Sequence, residues 1–182
     1  MNANKALKQF NAIASSWLED LESVNADNIQ LRPAENSWSF AEVYDHAMKV
    51  TRTYQIPNMK KCGTESAKRK KRKSLVGIAT FDVGYKKNVH MKMESFPQWL
   101  IELFTPVQRT KEDLVQDFKN FIGEVNDLGE IIEGSSSSDK HYHPLFGDIN
   151  TKEWFSLIEK HMWQHNKQLS KLKEFLQSHE HK

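Results

Sequence analysis

Apolar residues recur at helical spacing in four blocks of the chain. Leu7, Phe10, Ile13, Trp17, Leu21 and Val24 make one stripe, the inner face of a first helix. After "LRPAENSWSF", where Pro33 and Asn36 favour a turn, Ser39 is a good N-cap and Glu42, three residues on, completes a capping box. The second helix carries Phe40, Val43, Ala47, Val50 and Tyr54 inward, and Pro57 closes it. The third opens at Thr105-Pro106, a cap followed by proline at the first helical position. It bears Val107, Leu114, Phe118, Phe121, Val125, Leu128 and Ile132, and ends at Gly134 and the serines behind it. The fourth starts at Asn150 or Thr151, with Glu153 in its first turn. Its stripe is Trp154, Leu157 and Ile158, then Leu169, Leu172, Phe175 and Leu176, and it runs to about Ser178.

Between the second and third helices, residues 57–104 lack any comparable period. A connection of roughly fifty residues is far too long for a hairpin loop, but it can cross the length of a bundle. The expectation is therefore an all-α fold: one four-helix-bundle domain over residues 1–182, with a long crossover between helices two and three and a solvated tail over 179–182. The crossover run "SLVGIATFDVGY" is apolar enough to pack onto the bundle, and Phe96-Pro97-Gln98-Trp99 adds a helical turn.

Composition narrows the function. The 182 residues have a hydrophobic fraction of 38%, enough for a sizeable core. A net charge of +2, with both signs mixed, points to neither nucleic acid nor a membrane as partner. "MNANKALKQF" lacks the apolar h-region of a signal peptide, and no window approaches the roughly 18 apolar residues of a membrane span, so the expectation is a soluble, cytoplasmic protein. The lone cysteine, Cys62, excludes an internal disulfide and a zinc-thiolate cluster, so a metal would be held by nitrogen and oxygen.

The gap in the fourth stripe, between Ile158 and Leu169, demands positions 161, 165 and 168. These are His161, His165 and Gln168. Histidines four apart share one helix face, here the inner one. Two readings compete: hydrogen-bonded core residues, or two imidazoles chelating one divalent ion with a third ligand from a facing helix. His46, three residues after Val43 and four before Val50, lies at the edge of helix two's inner stripe and supplies that third ligand. His141 and His143 fall in "DKHYHPLFGD", read as a loop over the open end of the bundle; His90 is isolated, and His179 and His181 belong to the tail.

The pieces "SWSFAEVYDH", "HPLFGDINTKEW" and "KHMWQHNKQL" resemble the DinB-like (YfiT-like) superfamily of metal-dependent four-helix bundles. Its signature is one histidine on helix two and H-x-x-x-H on helix four. The resemblance places the metal ligands on His46, His161 and His165, and implies bound nickel or zinc, often a homodimer, and thiol-cofactor-dependent transferases among the characterised members. Close relatives often carry a further histidine just before the last ligand, where this chain has Gln164.

Three imidazoles on a divalent ion leave coordination positions open, which suits either hydrolysis or transfer of a low-molecular-weight thiol to a small-molecule substrate. No clear general base is visible. Glu42, one turn before His46, is explained by capping, and Gln168 is a candidate to orient His165 or a bound water from behind. The alternative is a non-enzymatic metal- or partner-binding bundle whose histidines are structural. The basic run "KRKKRK", Lys68 to Lys73, reads as a solvated loop without the interleaved aromatics of a nucleic-acid surface; its minority reading is a dock for an anionic ligand.

Overall fold

The amphipathic stripe of the first block folds as expected. Phe10, Trp17 and Leu21 of α1 (Ala3–Ser23) are buried, and the Trp17 ring stacks on Phe118 while packing against Tyr44. The computed structural model describes residues 3–64, 72–83 and 97–180.

α2 (Phe40–Val50) starts at the expected box: Ser39 Oγ accepts from the Glu42 amide, and the Glu42 carboxylate accepts from the Ser39 amide. Pro57 does not close this helix. The backbone passes into a π-helical turn, Thr51–Gln55, and continues as α3 (Ile56–Lys60), with Pro57 in its first turn. Proline lacks a donor and its ring crowds the preceding turn; at the first turn of a fresh segment neither property costs a hydrogen bond, and the wider π turn supplies that break. Of the crossover, α4 (Leu75–Gly77) runs into a second π turn, Ile78–Asp82, and α5 (Gln98–Phe104) extends the predicted turn at Pro97 to seven residues. Val76 and Phe81 pack on the core.

The third long helix, α6 (Lys111–Asn126), begins later than expected. Its cap is Thr110, whose hydroxyl accepts from the Asp113 amide, whereas Thr105 ends α5. Thr105 and Thr110 are extended and the stretch between them is not helical, its Val107 amide being held by Asp45, and Val107 is exposed, not inside. From Leu114 onward the predicted stripe is buried through Ile132, with a break at Asp127–Leu128 before α7 (Gly129–Gly134).

One finding departs from an all-helical chain. The expected loop around His141 and His143 is an antiparallel hairpin of β1 (Lys140–His143) and β2 (Gly147–Asn150), with His143 opposite Gly147. Gly147 has φ 71°, and a Cβ there would stand 2.5 Å from the Ser74 amide nitrogen, so the position requires glycine. β2 leads directly into α8 (Thr151–Glu180), opened by reciprocal bonds between Asn150 and Glu153. The protein is thus mostly helical with one two-stranded sheet. α1 packs on α6 and α8, α2 packs on the same two, and their inner faces share one core. Among the described residues no helix is long and apolar enough to cross a membrane.

Candidate metal centre

α2 and α8 bring three histidines together. One imidazole nitrogen from each of His46, His161 and His165 lies within 4.8 Å of the other two. The Nε2 atoms of His161 and His165, one turn apart on α8, are 3.2 Å apart. His46 is buried and the other two are half-buried.

The outer nitrogens fix the tautomers. His46 Nδ1 lies 2.8 Å from the Phe104 carbonyl oxygen, which can only accept, so Nδ1 carries the proton and Nε2 keeps its lone pair. His165 Nδ1 lies 2.9 Å from Oε1 of Gln168, with the same consequence. His161 has no such support: its Nδ1 is out of solvent and without a hydrogen-bond partner. If His161 donates Nε2–H to His165, Nδ1 is a stranded acceptor; if it turns its Nε2 lone pair inward, Nδ1–H is a stranded donor. Either tautomer leaves one buried group unmet, at about 1–3 kcal/mol.

Burial keeps the His46 and His161 rings neutral. Burial first, then the charges of His165 and Lys49, push His46 down to about 4 against a partial offset from the Phe104 carbonyl. Burial, with His165 and His46 as neighbours, holds His161 well below the ordinary histidine value. Neutral imidazoles are the form that binds metal.

The two donors on α8 pass a simple fit test. Zn–N bonds of about 2.0–2.1 Å at tetrahedral angles put two nitrogens about 3.3 Å apart. The pair on α8 already meets that spacing. A cation would also relieve the crowding of facing lone pairs. No carboxylate joins the cluster among the described residues.

Trp38 is a site residue that the hydrophobic stripes do not reveal. Just before the Ser39 cap, it packs its ring 4.6 Å from the His46 ring and stacks on His165 at 6.3 Å. Its only sequence signal is its place before a capping box, where an apolar residue commonly folds back on the helix. Phe104 closes another side, edge-on to His46. Glu42 is not poised as a base. Burial alone would raise its carboxyl, but hydrogen bonds from Arg32 and Ser39 outweigh burial and hold it below the usual range.

Among the described residues, the remaining histidines stand apart from the cluster. His143 is buried among Tyr54, Phe146 and Trp154, its Nδ1 accepting from the Leu145 amide. His141 lies half-buried beside Trp154. His179 is exposed in the last turn of α8, which runs two residues past the expected end. His90, His181 and Lys68 to Lys71 lie outside the described residues. Lys73 is not solvated as expected; it pairs with Asp82 and Glu153, and its side chain is 12% exposed. Comparisons with family models, curated proteins and solved structures returned no match.

Proposed function

We propose that this chain is a metal-dependent enzyme of the DinB-like four-helix-bundle type, with His46, His161 and His165 as ligands of a nickel or zinc ion. The observation that carries the reading is the convergence of three imidazoles from two helices, two of them held by outside acceptors so that Nε2 faces inward. The four helices that share the core, α1, α2, α6 and α8, are the framework the reading requires. A bound divalent ion supplies Lewis acidity, enough to lower the pKa of water from about 15.7 towards about 7 or to hold a thiol as its thiolate.

The protein's own groups favour thiol transfer over hydrolysis. Hydrolysis calls for a base beside the attacking water, and Glu42, one turn before His46, is committed to Ser39 and Arg32. Three neutral ligands leave the ion's double charge uncompensated, which suits an anionic partner such as a thiolate. Trp38 and Phe104 provide apolar walls that limit water and suit a small electrophile. Gln168 and the Phe104 carbonyl hold two imidazoles in their ligating tautomers.

Elemental analysis by mass spectrometry on untagged, gel-filtered protein tests the reading. About one nickel or zinc per chain, lost in both His161→Ala and His165→Ala, supports it and justifies screening thiols with small electrophiles. A folded protein that takes up neither metal after incubation sinks it and returns the histidines to a structural role.

A further inference from the structure

Three side chains on one stretch of α2 grip the non-helical backbone after α5. His46 Nδ1–H donates to the Phe104 carbonyl at 2.8 Å, and Lys49 Nζ donates to the Thr105 carbonyl at 3.0 Å. Asp45 Oδ2 accepts from the Val107 amide at 2.8 Å. Asp45 is 4% exposed, yet its carboxylate is well provided for: besides Val107 it meets Lys49 Nζ at 3.2 Å and Arg109 Nη1 at 3.8 Å. It therefore ties the segment at Val107 and meets both Lys49, which holds the Thr105 carbonyl, and Arg109, two residues beyond Val107. Pro106 has no donor, so the Val107 amide is the first backbone donor after the proline that α2 can anchor.

We infer that Asp45 is a positioning residue for the metal centre, acting through the 104–107 segment: it seats the Phe104 carbonyl that fixes the proton of His46 on Nδ1 and turns Nε2 toward His161 and His165. The inference rests on the metal reading for its consequence, but the tautomer itself is a property of the metal-free protein. A buried carboxylate beside a ligand is otherwise explained as fold support alone. What separates the two roles is the state of the His46 ring, which general destabilisation does not change while the protein stays folded.

The test uses the full chain and two readouts, the imidazole nitrogen shifts of His46 in metal-free protein and Ni2+ affinity by competition with a chromophoric chelator. Wild type shows the Nδ1-protonated form. Asp45→Ala is expected to give mixed tautomers and a Kd raised about 10- to 100-fold. Asp45→Asn keeps an oxygen for the Val107 amide and restores most of both signals. Ile132→Ala, a core truncation on α7, loses stability without altering either. Lys49→Met, at a more accessible position, weakens the same grip and raises Kd at least threefold, which keeps the test decisive should Asp45→Ala fail to fold. A His46 spectrum and a Kd that match wild type in folded Asp45→Ala, or in Lys49→Met if the former does not fold, overturn the inference. If wild type binds no Ni2+, the functional reading fails, and the tautomer comparison alone decides the role of Asp45.

Discussion

His161 and His165 point their Nε2 atoms at each other across 3.2 Å, and the far nitrogen of His161 has no partner. A site left in this state costs stability. Replacing His161 with leucine removes the stranded nitrogen and keeps an apolar side chain of similar reach. In the presence of chelator, His161→Leu is expected to be more stable by about 1–3 kcal/mol. For a chain of this size that is a rise in Tm of about 2–4 °C per kcal/mol. Thermal melts of chelated wild type and variant check it; a lower Tm in the variant means that the pair is already satisfied.

A ligand that binds only the folded state stabilises it by mass action. Ni2+ or Zn2+ at 100 times its Kd adds about 2.7 kcal/mol, hence a Tm higher by roughly 5–10 °C. The gain should vanish in His46→Ala and His165→Ala and persist in His141→Ala, since His141 sits beside Trp154 in the hairpin. Scanning calorimetry with and without metal reads the difference. Equal gains in His46→Ala and wild type place the ion elsewhere.

Local rules carried the sequence reading far along α2 and α8 and failed where tertiary partners intervene. The Ser39 box and the stripe from Leu114 to Ile132 are short-range patterns, and both are present. The gap at His161, His165 and Gln168 was legible because helical period fixes which residues share a face. The start of α6 was not legible: Thr105-Pro106 is a valid cap sequence, but Asp45 takes the Val107 amide and the stretch up to Thr110 is not helical. Pro57 obeys its local rule only after a π turn that no spacing announces. The hairpin had a signal in the glycine at 147, which reads as a turn once φ is known to be positive. Trp38 meets His46 and His165 across elements, and an unaligned sequence does not report such contacts.

Ser39 Oγ caps α2, and its amide is held by Glu42, which Arg32 holds in turn. Ser39 is fully buried, so water cannot replace the lost bond. Ser39→Ala should cost about 1–2 kcal/mol, the upper part of the usual range for caps. Ser39→Thr, which keeps the hydroxyl, should recover part of this. Urea unfolding checks the order, with a change in midpoint and not in slope. Because Trp38 precedes the cap and packs on His46, Ser39→Ala should also weaken metal affinity; an unchanged Kd shows that Trp38 is held by its own packing.

His143 gives the fold a pH dependence whose sign can be worked out. Burial pushes its pKa down to about 4 from an ordinary value near 6.5. Its Nδ1 must keep a lone pair to accept from the Leu145 amide, so a proton there would break a bond as well as place a charge among Tyr54, Phe146 and Trp154. The unfolded chain takes up a proton as pH falls through about 6.5, whereas the folded chain resists until about 4. The stability is therefore fully present above pH 6.5, is lost progressively between about 6.5 and 4, and amounts to at most about 3 kcal/mol. His46 is depressed to the same value and adds a like loss over the same window. His143→Gln keeps an acceptor for the Leu145 amide but does not titrate. Its stability curve in chelator should be shallower than wild type by one proton, about 1.4 kcal/mol per pH unit at the steepest point. Urea denaturation at half-unit steps from pH 7 to 4 measures both slopes. Parallel curves would mean that His143 charges inside the fold, with its ring turned out of the aromatic box that now holds it.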